Sequence, residues 1–249
     1  MKAVNKMTFF RLGSLCLAGV LVLLWFVGAT SAQSSTSDAG LITKLSGEAT
    51  YWNQEEQKEP APAQAFMKVR KGDQLNLLAA TSLTLLYFAN GRQETWKGPA
   101  TLVVGDLESA SKKPGSQPEV KMISTKVTGR MECATLPLPS SSTAKYGGME
   151  TRGPRHPARE KPVAPPPLSP EARRRIKEAE RTYQDLRKRA EADDPIPELY
   201  FLGVLADYQQ FPEMEKLIEA MLAKKPGDPV LKNLKTWVHS QSAGRPAPN

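Results

Sequence analysis

Ser82-Leu83-Thr84-Leu85-Leu86-Tyr87-Phe88 is followed closely by Asn90-Gly91, after which Gln93 to Lys97 resumes an extended pattern. The seven-residue run is the clearest strand in the sequence. Asn-Gly is a strong hairpin dipeptide because both residues tolerate positive φ. Working outward, Leu41, Thr43 and Leu45 alternate with Ile42 and Lys44, Gly47 interrupts, and Ala49 to Trp52 resumes, which predicts two short strands. Asn53 to Ala63 is acidic and Pro-containing and reads as a loop. Phe66, Val69, Leu75 and Leu77 flank a turn at Lys71-Gly72-Asp73. Gly98-Pro99 turns the chain again, Thr101 to Val104 is a further strand, and Val120 to Val127 is expected to add at least one more. Many short strands with turn signals at this spacing predict that residues 40–132 form a small all-β sandwich or barrel. Gly72, Gly91 and Gly98 are turn positions, since a phosphate-cradling loop needs clustered glycines ahead of a helix.

The whole chain has 249 residues and a formal charge of +8. Lys2, Lys6 and Arg11 carry the only charges of the first 37 residues and precede an apolar run, Leu12 to Val27, with small residues at Thr30-Ser31-Ala32. Residues 1–32 therefore read as a signal peptide cleaved before Gln33, or as an uncleaved signal anchor that contacts the membrane through residues 12–29. In either case the bulk is expected to be exported, either periplasmic or held at the inner membrane. Cys16 lies within the apolar run, so the mature chain would keep only Cys133, which has no neighbouring group to activate it. Two cysteines and two histidines, far apart in sequence, leave little material for a metal cluster, and no cofactor is expected. Residues 150–190 hold 12 Lys and Arg against 6 Asp and Glu, so the basicity is local. For an exported chain it points to an acidic protein face or an anionic envelope polymer rather than to nucleic acid. The bland reading is a solvated helix face, because Glu171, Glu178, Glu180 and Asp185 intersperse the cations.

Gly47 after an alternating strand, then Lys71-Gly72-Asp73-Gln74-Leu75, Ser82-Leu83-Thr84-Leu85 leading to Asn90-Gly91, and Trp96-Lys97-Gly98-Pro99-Ala100-Thr101-Leu102 together resemble the FecR domain of bacterial envelope proteins. The resemblance covers about 70 residues of the 249. Asn90 stands where that family usually has Asp, and Ala79-Ala80-Thr81 replaces a stretch that is commonly Gly-rich. The resemblance implies a periplasmic domain that relays the state of an outer-membrane transporter, through a membrane helix, to a cytoplasmic sigma-factor regulator. Only about 11 residues precede the apolar run here, so direct signalling of that kind is not expected of this chain alone.

Residues 133–168, rich in Pro and Ser, read as a semi-extended linker, with an extra strand at 146–153 as an option. Ser142-Thr143-Ala144-Lys145 matches the Ser-x-x-Lys spacing of penicillin-recognising enzymes but lacks the helix and the Lys-Thr-Gly element that chemistry needs. Residues 169–240 read as an all-α helical hairpin module, followed by a disordered tail at 241–249. Ser169-Pro170-Glu171 starts a helix carrying Ile176, Ala179, Tyr183, Leu186 and Ala190 on a narrow apolar stripe. Pro197 opens a second, Phe211-Pro212 turns the chain into a third, and Gly227-Asp228-Pro229 caps a fourth. Pro197-Glu198-Leu199 and Pro229-Val230-Leu231 recur 32 residues apart, and Leu202-Gly203 resembles the Leu-Gly pair of tetratricopeptide repeats. Such a module serves to bind a peptide or to pack on a neighbouring domain, and the sequence leaves both open.

The expected architecture is thus α+β overall: a FecR-like β domain followed by a separate helical module. The expected function is non-catalytic interaction with another envelope protein or an envelope polymer. A membrane-anchored signalling component with a separate partner is the alternative, and a glycan hydrolase using Asp73 and Glu94 is a third reading. Candidate interaction residues are Trp52, Arg92, Trp96, Arg173, Arg174 and Arg175, with core packing or edge shielding the competing reading for Trp52, Arg92 and Trp96. Neither His239, near a helix end, nor His156, in the basic stretch, suits a general base.

Overall fold

A computed structural model describes residues 37–53, 59–134, 136–140 and 168–243. The expected signal segment, residues 141–167 with their Ser-x-x-Lys match and optional strand, His156, and the tail from 244 lie outside the described residues. Ten strands and five helices are present among the described residues, giving a sheet region and a helical region. The first sheet orders β10 (Glu119–Met122), β7 (Arg92–Lys97), β6 (Ser82–Tyr87), β1 (Asp38–Ser46) and β4 (Lys68–Arg70). The second orders β3 (Ala61–Pro62), β2 (Ala49–Trp52), β5 (Gln74–Leu77), β8 (Ala100–Val104) and β9 (Ser109–Ser111). All these pairings are antiparallel.

Alternation along β6 and β7 decides what each face carries. Leu83, Leu85 and Tyr87 lie in one core with Ile42 and Trp96 of their own sheet and Tyr51, Leu75, Leu102 and Val104 of the other, so the two sheets form a sandwich. Thr84, Leu86, Gln93 and Thr95 alternate with them and therefore point away from that core. The β6–β7 hairpin exists as expected, but its loop differs. Only Gly91 is left-handed, with φ 72°, whereas the Asn90 side chain caps the loop by accepting from the Arg92 N–H at 2.9 Å. A four-residue loop, 88–91, needs only one left-handed residue, unlike the two-residue turn that Asn-Gly suggests.

The expected strand from Val120 to Val127 stops at Met122, and helix α1 (Thr125–Cys133) follows. Its Val127 and Met131, one turn apart, enter a core with helical residues, and Thr128 Oγ1 donates to the Phe88 carbonyl at 2.7 Å. Tertiary packing thus overrides a Thr-, Val- and Gly-containing segment of poor helix propensity. The first part of the expected linker also belongs to the fold: Ala134 and Leu136 are buried, and Lys68 donates its N–H to the Pro139 carbonyl at 2.8 Å.

Four helices occupy the C-terminal region: α2 (Pro170–Arg189), α3 (Ile196–Asp207), α4 (Phe211–Lys224) and α5 (Pro229–Ala243). Ser169 caps α2 by accepting from the Ala172 N–H at 3.1 Å, and Asp228 caps α5 by accepting from Val230 and Leu231. Phe211 and Pro212 sit inside the first turn of α4 rather than in the preceding turn, because a proline there gives up an N–H that would be unpaired anyway. At Leu202-Gly203 the helix has a tight neighbour: a Cβ on Gly203 would lie 3.0 Å from the Ala134 Cβ and 3.3 Å from the Arg130 carbonyl oxygen, so the missing side chain lets α3 approach α1.

The helical region does not stand apart from the sheets. Leu41, Phe66, Leu86 and Phe88 of the sheet region share one core with Leu199, Leu202, Met214, Ile218, Leu231 and Val238. The helices cover the apolar end of the first sheet's outer face and form one unit with it. Each such large apolar side chain contributes about 1.5–3 kcal/mol on burial. The apolar stripe of α2 docks on the same core, and Tyr183 stacks on Phe201 with ring centroids 5.2 Å apart.

Candidate functional site

Where the helices stop, the outer face of the first sheet turns polar. Lys44 and Ser46 of β1, Ser82 and Thr84 of β6, Gln93 and Thr95 of β7, and Glu119 and Lys121 of β10 line a cleft of about 330 Å³. Its far wall is the α2–α3 loop, with Glu191, Asp193 and Asp194, and Lys225 closes it. That volume lies within the range of small-ligand clefts, about 300–1,000 Å³.

The wall is fastened from both sides. From the sheet, Lys44 Nζ reaches Asp193 Oδ2 at 2.6 Å and Lys121 Nζ reaches Glu191 Oε1 at 2.8 Å. The lysines hold both carboxyls below the usual carboxylate range, chiefly through these hydrogen bonds. From the helices, Arg187 Nη1 donates to the Asp194 carbonyl at 2.7 Å and to Glu198 Oε2 at 3.0 Å, while Nη2 donates to the Glu191 carbonyl. Glu198 is buried and also meets Lys224, whose Nζ donates to the Ala192 carbonyl at 3.3 Å. Asp194 Oδ1 accepts from the Ile196 N–H at 3.0 Å; burial, partly offset by this bond, pushes its carboxyl above the ordinary value.

Beneath the loop sits Phe66, with φ 64°, a conformation rare for a bulky residue. It is held by a 2.6 Å bond from its N–H to the Ile42 carbonyl and by burial among the helices. Lys225 Nζ lies 5.8 Å from the centre of its ring.

The floor of the cleft is made of hydroxyls and one amide. Thr84 Oγ1 and Thr95 Oγ1, on directly paired residues, are 3.3 Å apart. Gln93 pairs with Leu86 on one side and Lys121 on the other, and is only 8% exposed. Its side-chain amide has no hydrogen-bond partner among the described residues, although a buried amide can make several bonds.

The candidate residues expected from sequence are not brought together here. Trp96 is 2% exposed and sits inside the sandwich, so it offers no binding face: its register opposite Leu83 turns it inward. Arg92 is committed to Glu94 at 2.7 Å and to Glu108 at 3.4 Å. Trp52 is half-buried on β2, in the other sheet. Arg173, Arg174 and Arg175 are exposed on α2, where Arg175 pairs with Glu171 one turn earlier.

Asp73 and Glu94 are both fully buried and already occupied. Asp73 accepts from Asn53 Nδ2 at 2.6 Å and from the Arg70 N–H at 2.8 Å, and closes its turn. Glu94 accepts from Arg92 Nε, from Trp96 Nε1 and from the Ser109 N–H of β9, which ties the two sheets together. Through these bonds both carboxylates hold the fold together. His239 Nδ1 faces Glu215 at 3.6 Å on the helical surface.

The cleft residues were missed because Gln93, Thr84 and Thr95 read as ordinary polar positions of a half-exposed strand. The usable signal was parity: they share a face with Leu86, which is buried against helices. Among the described residues no helix is long and apolar enough to cross a membrane, and no three His, Cys, Asp or Glu side chains gather to hold a metal. No protein-family model, no curated protein and no solved structure matches this chain.

Proposed function

We propose that this is an exported, non-catalytic cell-envelope protein, FecR-like in its sheet region, that recognises another envelope component through the cleft between its first sheet and its α2–α3 loop. The observation that carries the reading is the built wall: Lys44, Lys121 and Arg187 pin one loop from two sides and keep a polar cleft open beside a shared apolar core. A preset cleft suits recognition, since little ordering is left to be done on binding. The N-terminal charge and apolar pattern supports export.

The test is a photo-crosslinking amino acid at Thr95, in the full chain in its native envelope, with mass spectrometry of the adducts. One dominant envelope component, absent when the crosslinker replaces exposed Lys112 on the other sheet, supports the reading. Equal labelling from both positions contradicts it. The anchored signalling alternative draws on the same apolar run, Leu12 to Val27. N-terminal sequencing separates the two: a start at Gln33 removes the anchor on which that alternative depends.

A further inference from the structure

Gln93 sets the chemistry of the cleft. An amide that is 8% exposed, lines a 330 Å³ cleft and lacks a side-chain partner among the described residues presents one acceptor and two donors to whatever enters. Beside it stand the hydroxyls of Ser82, Thr84 and Thr95; Thr84 and Thr95 bond to each other, which leaves one proton of that pair and the lone pairs of both for a ligand. The charges around them are largely balanced: Lys44 and Lys121 are already engaged by Asp193 and Glu191. A polyanion would find cations whose field is neutralised at short range.

A peptide strand is also a poor fit. Extended peptides add to sheet edges, where unpaired backbone groups continue the ladder. This cleft lies on a face, over β6 and β7, whose backbones are paired on both sides; Lys44–Ser46 of β1 and all of β10 pair on one side only, and their open edges lie in the plane of the sheet. What the face offers is side-chain hydroxyl and amide groups in a flat array.

The geometry points to an uncharged, N-acetylated glycan segment as the ligand, its hydroxyls meeting Thr84, Thr95 and Ser82 and its acetamido group pairing with the Gln93 amide. This inference rests on the recognition reading above and narrows it to one ligand class. It also departs from the anionic polymer that the basic stretch of sequence suggests.

The experiment is a titration of the full chain, without its signal, with the N-acetylglucosamine tetramer, read by backbone-amide NMR and calorimetry, beside maltotetraose and polygalacturonate. The expected result is shifts confined to β6, β7 and the Glu191–Asp194 loop with the N-acetylated sugar. Affinity should be nearly unchanged from about 50 to about 500 mM salt, since no net charge is neutralised. Gln93→Leu should weaken binding about tenfold or more, and Thr95→Val, a milder change, by a few-fold. Folding of both variants is checked by their thermal transitions. Tighter binding of polygalacturonate that fades with salt overturns the proposal, as does N-acetylated sugar binding that neither variant alters. No sugar binding alongside a specific protein adduct from Thr95 overturns the glycan assignment and leaves the recognition reading standing. Loss of both overturns the two together.

Discussion

Trp96 Nε1 donates a 3.0 Å hydrogen bond to Glu94 Oε2, two residues back along β7, with both side chains inside the sandwich. The same carboxylate takes Arg92 Nε and the Ser109 N–H, so one buried charge satisfies donors from both sheets. Glu94→Gln turns one acceptor oxygen into a donor facing donors and removes the ion pair with Arg92. The expected cost is about 3 kcal/mol. Trp96→Phe keeps most of the ring and loses one neutral donor, for about 1–2 kcal/mol. Urea midpoints of the two variants check the ranking, and equal costs would count against the shared-carboxylate account.

Gly91 and Ala80 occupy the same left-handed region with opposite fitness. A Cβ at Gly91 would lie 1.9 Å from the Ile123 carbonyl oxygen, and Gly91 accepts from the Ile123 N–H at 2.7 Å. Gly91→Ala therefore costs more than the left-handed penalty of about 1–2 kcal/mol and displaces the end of β10. Ala80 has φ 59° with a side chain present. Ala80→Gly removes that penalty, less about 0.5–1 kcal/mol of glycine entropy, and is expected to stabilise by up to about 1 kcal/mol. Thermal melts of both variants measure the contrast.

Asp194 carries a pH dependence with a defined sign. Burial raises its folded pKa above the unfolded value, so its contribution to stability is greatest in acid and falls as pH rises through that window. At neutral pH the ionised carboxylate is a net cost. Asp194→Asn keeps the Oδ1 acceptor for the Ile196 N–H and removes the charge. Its melting temperature is expected to exceed that of the parent at about pH 7 and to match it at about pH 3. Glu191 and Asp193, whose pKa values are lowered by their lysines, give the opposite slope, but equally in both proteins. A gain of the same size at both pH values would refute the assignment.

Arg187 is the helix-side fastening of the cleft wall. Its pair with buried Glu198 is partly open to solvent, with the Arg187 side chain 23% exposed. Arg187→Ala is expected to cost about 2–3 kcal/mol, below the range for fully buried pairs. Hydrogen exchange should quicken at residues 191–194 while β6 and β7 stay protected. Uniform acceleration across the chain would mean that the arginine serves overall stability only.

Much of the sandwich was legible in the sequence because Leu83, Leu85 and Tyr87 alternate and turn residues bound each run. Strands β3 and β9 have two and three residues and leave no periodic signal. Helix α1 was illegible because Thr125 to Gly129 has low helix propensity; contacts with Phe88 and α3, remote in sequence, decide it. The helix starts at Ser169 and Asp228 were readable because capping is local chemistry. The cleft was not, because it is assembled from four strands and a loop about 100 residues further on. For Trp96 the sequence leaves a binding face and core packing both open, and its parity with Glu94 on β7 agrees with the core position it takes.

The central claim is that the helices and the sandwich share one core through Leu41, Phe66, Leu86 and Phe88, which is what leaves the cleft where it is. The most direct measurement is to insert a single protease site after Gly153, cleave the folded chain, and follow the two pieces by size-exclusion chromatography. The account predicts that they co-elute and unfold together in one transition. Separate elution, with the sheet piece still folded, would contradict it.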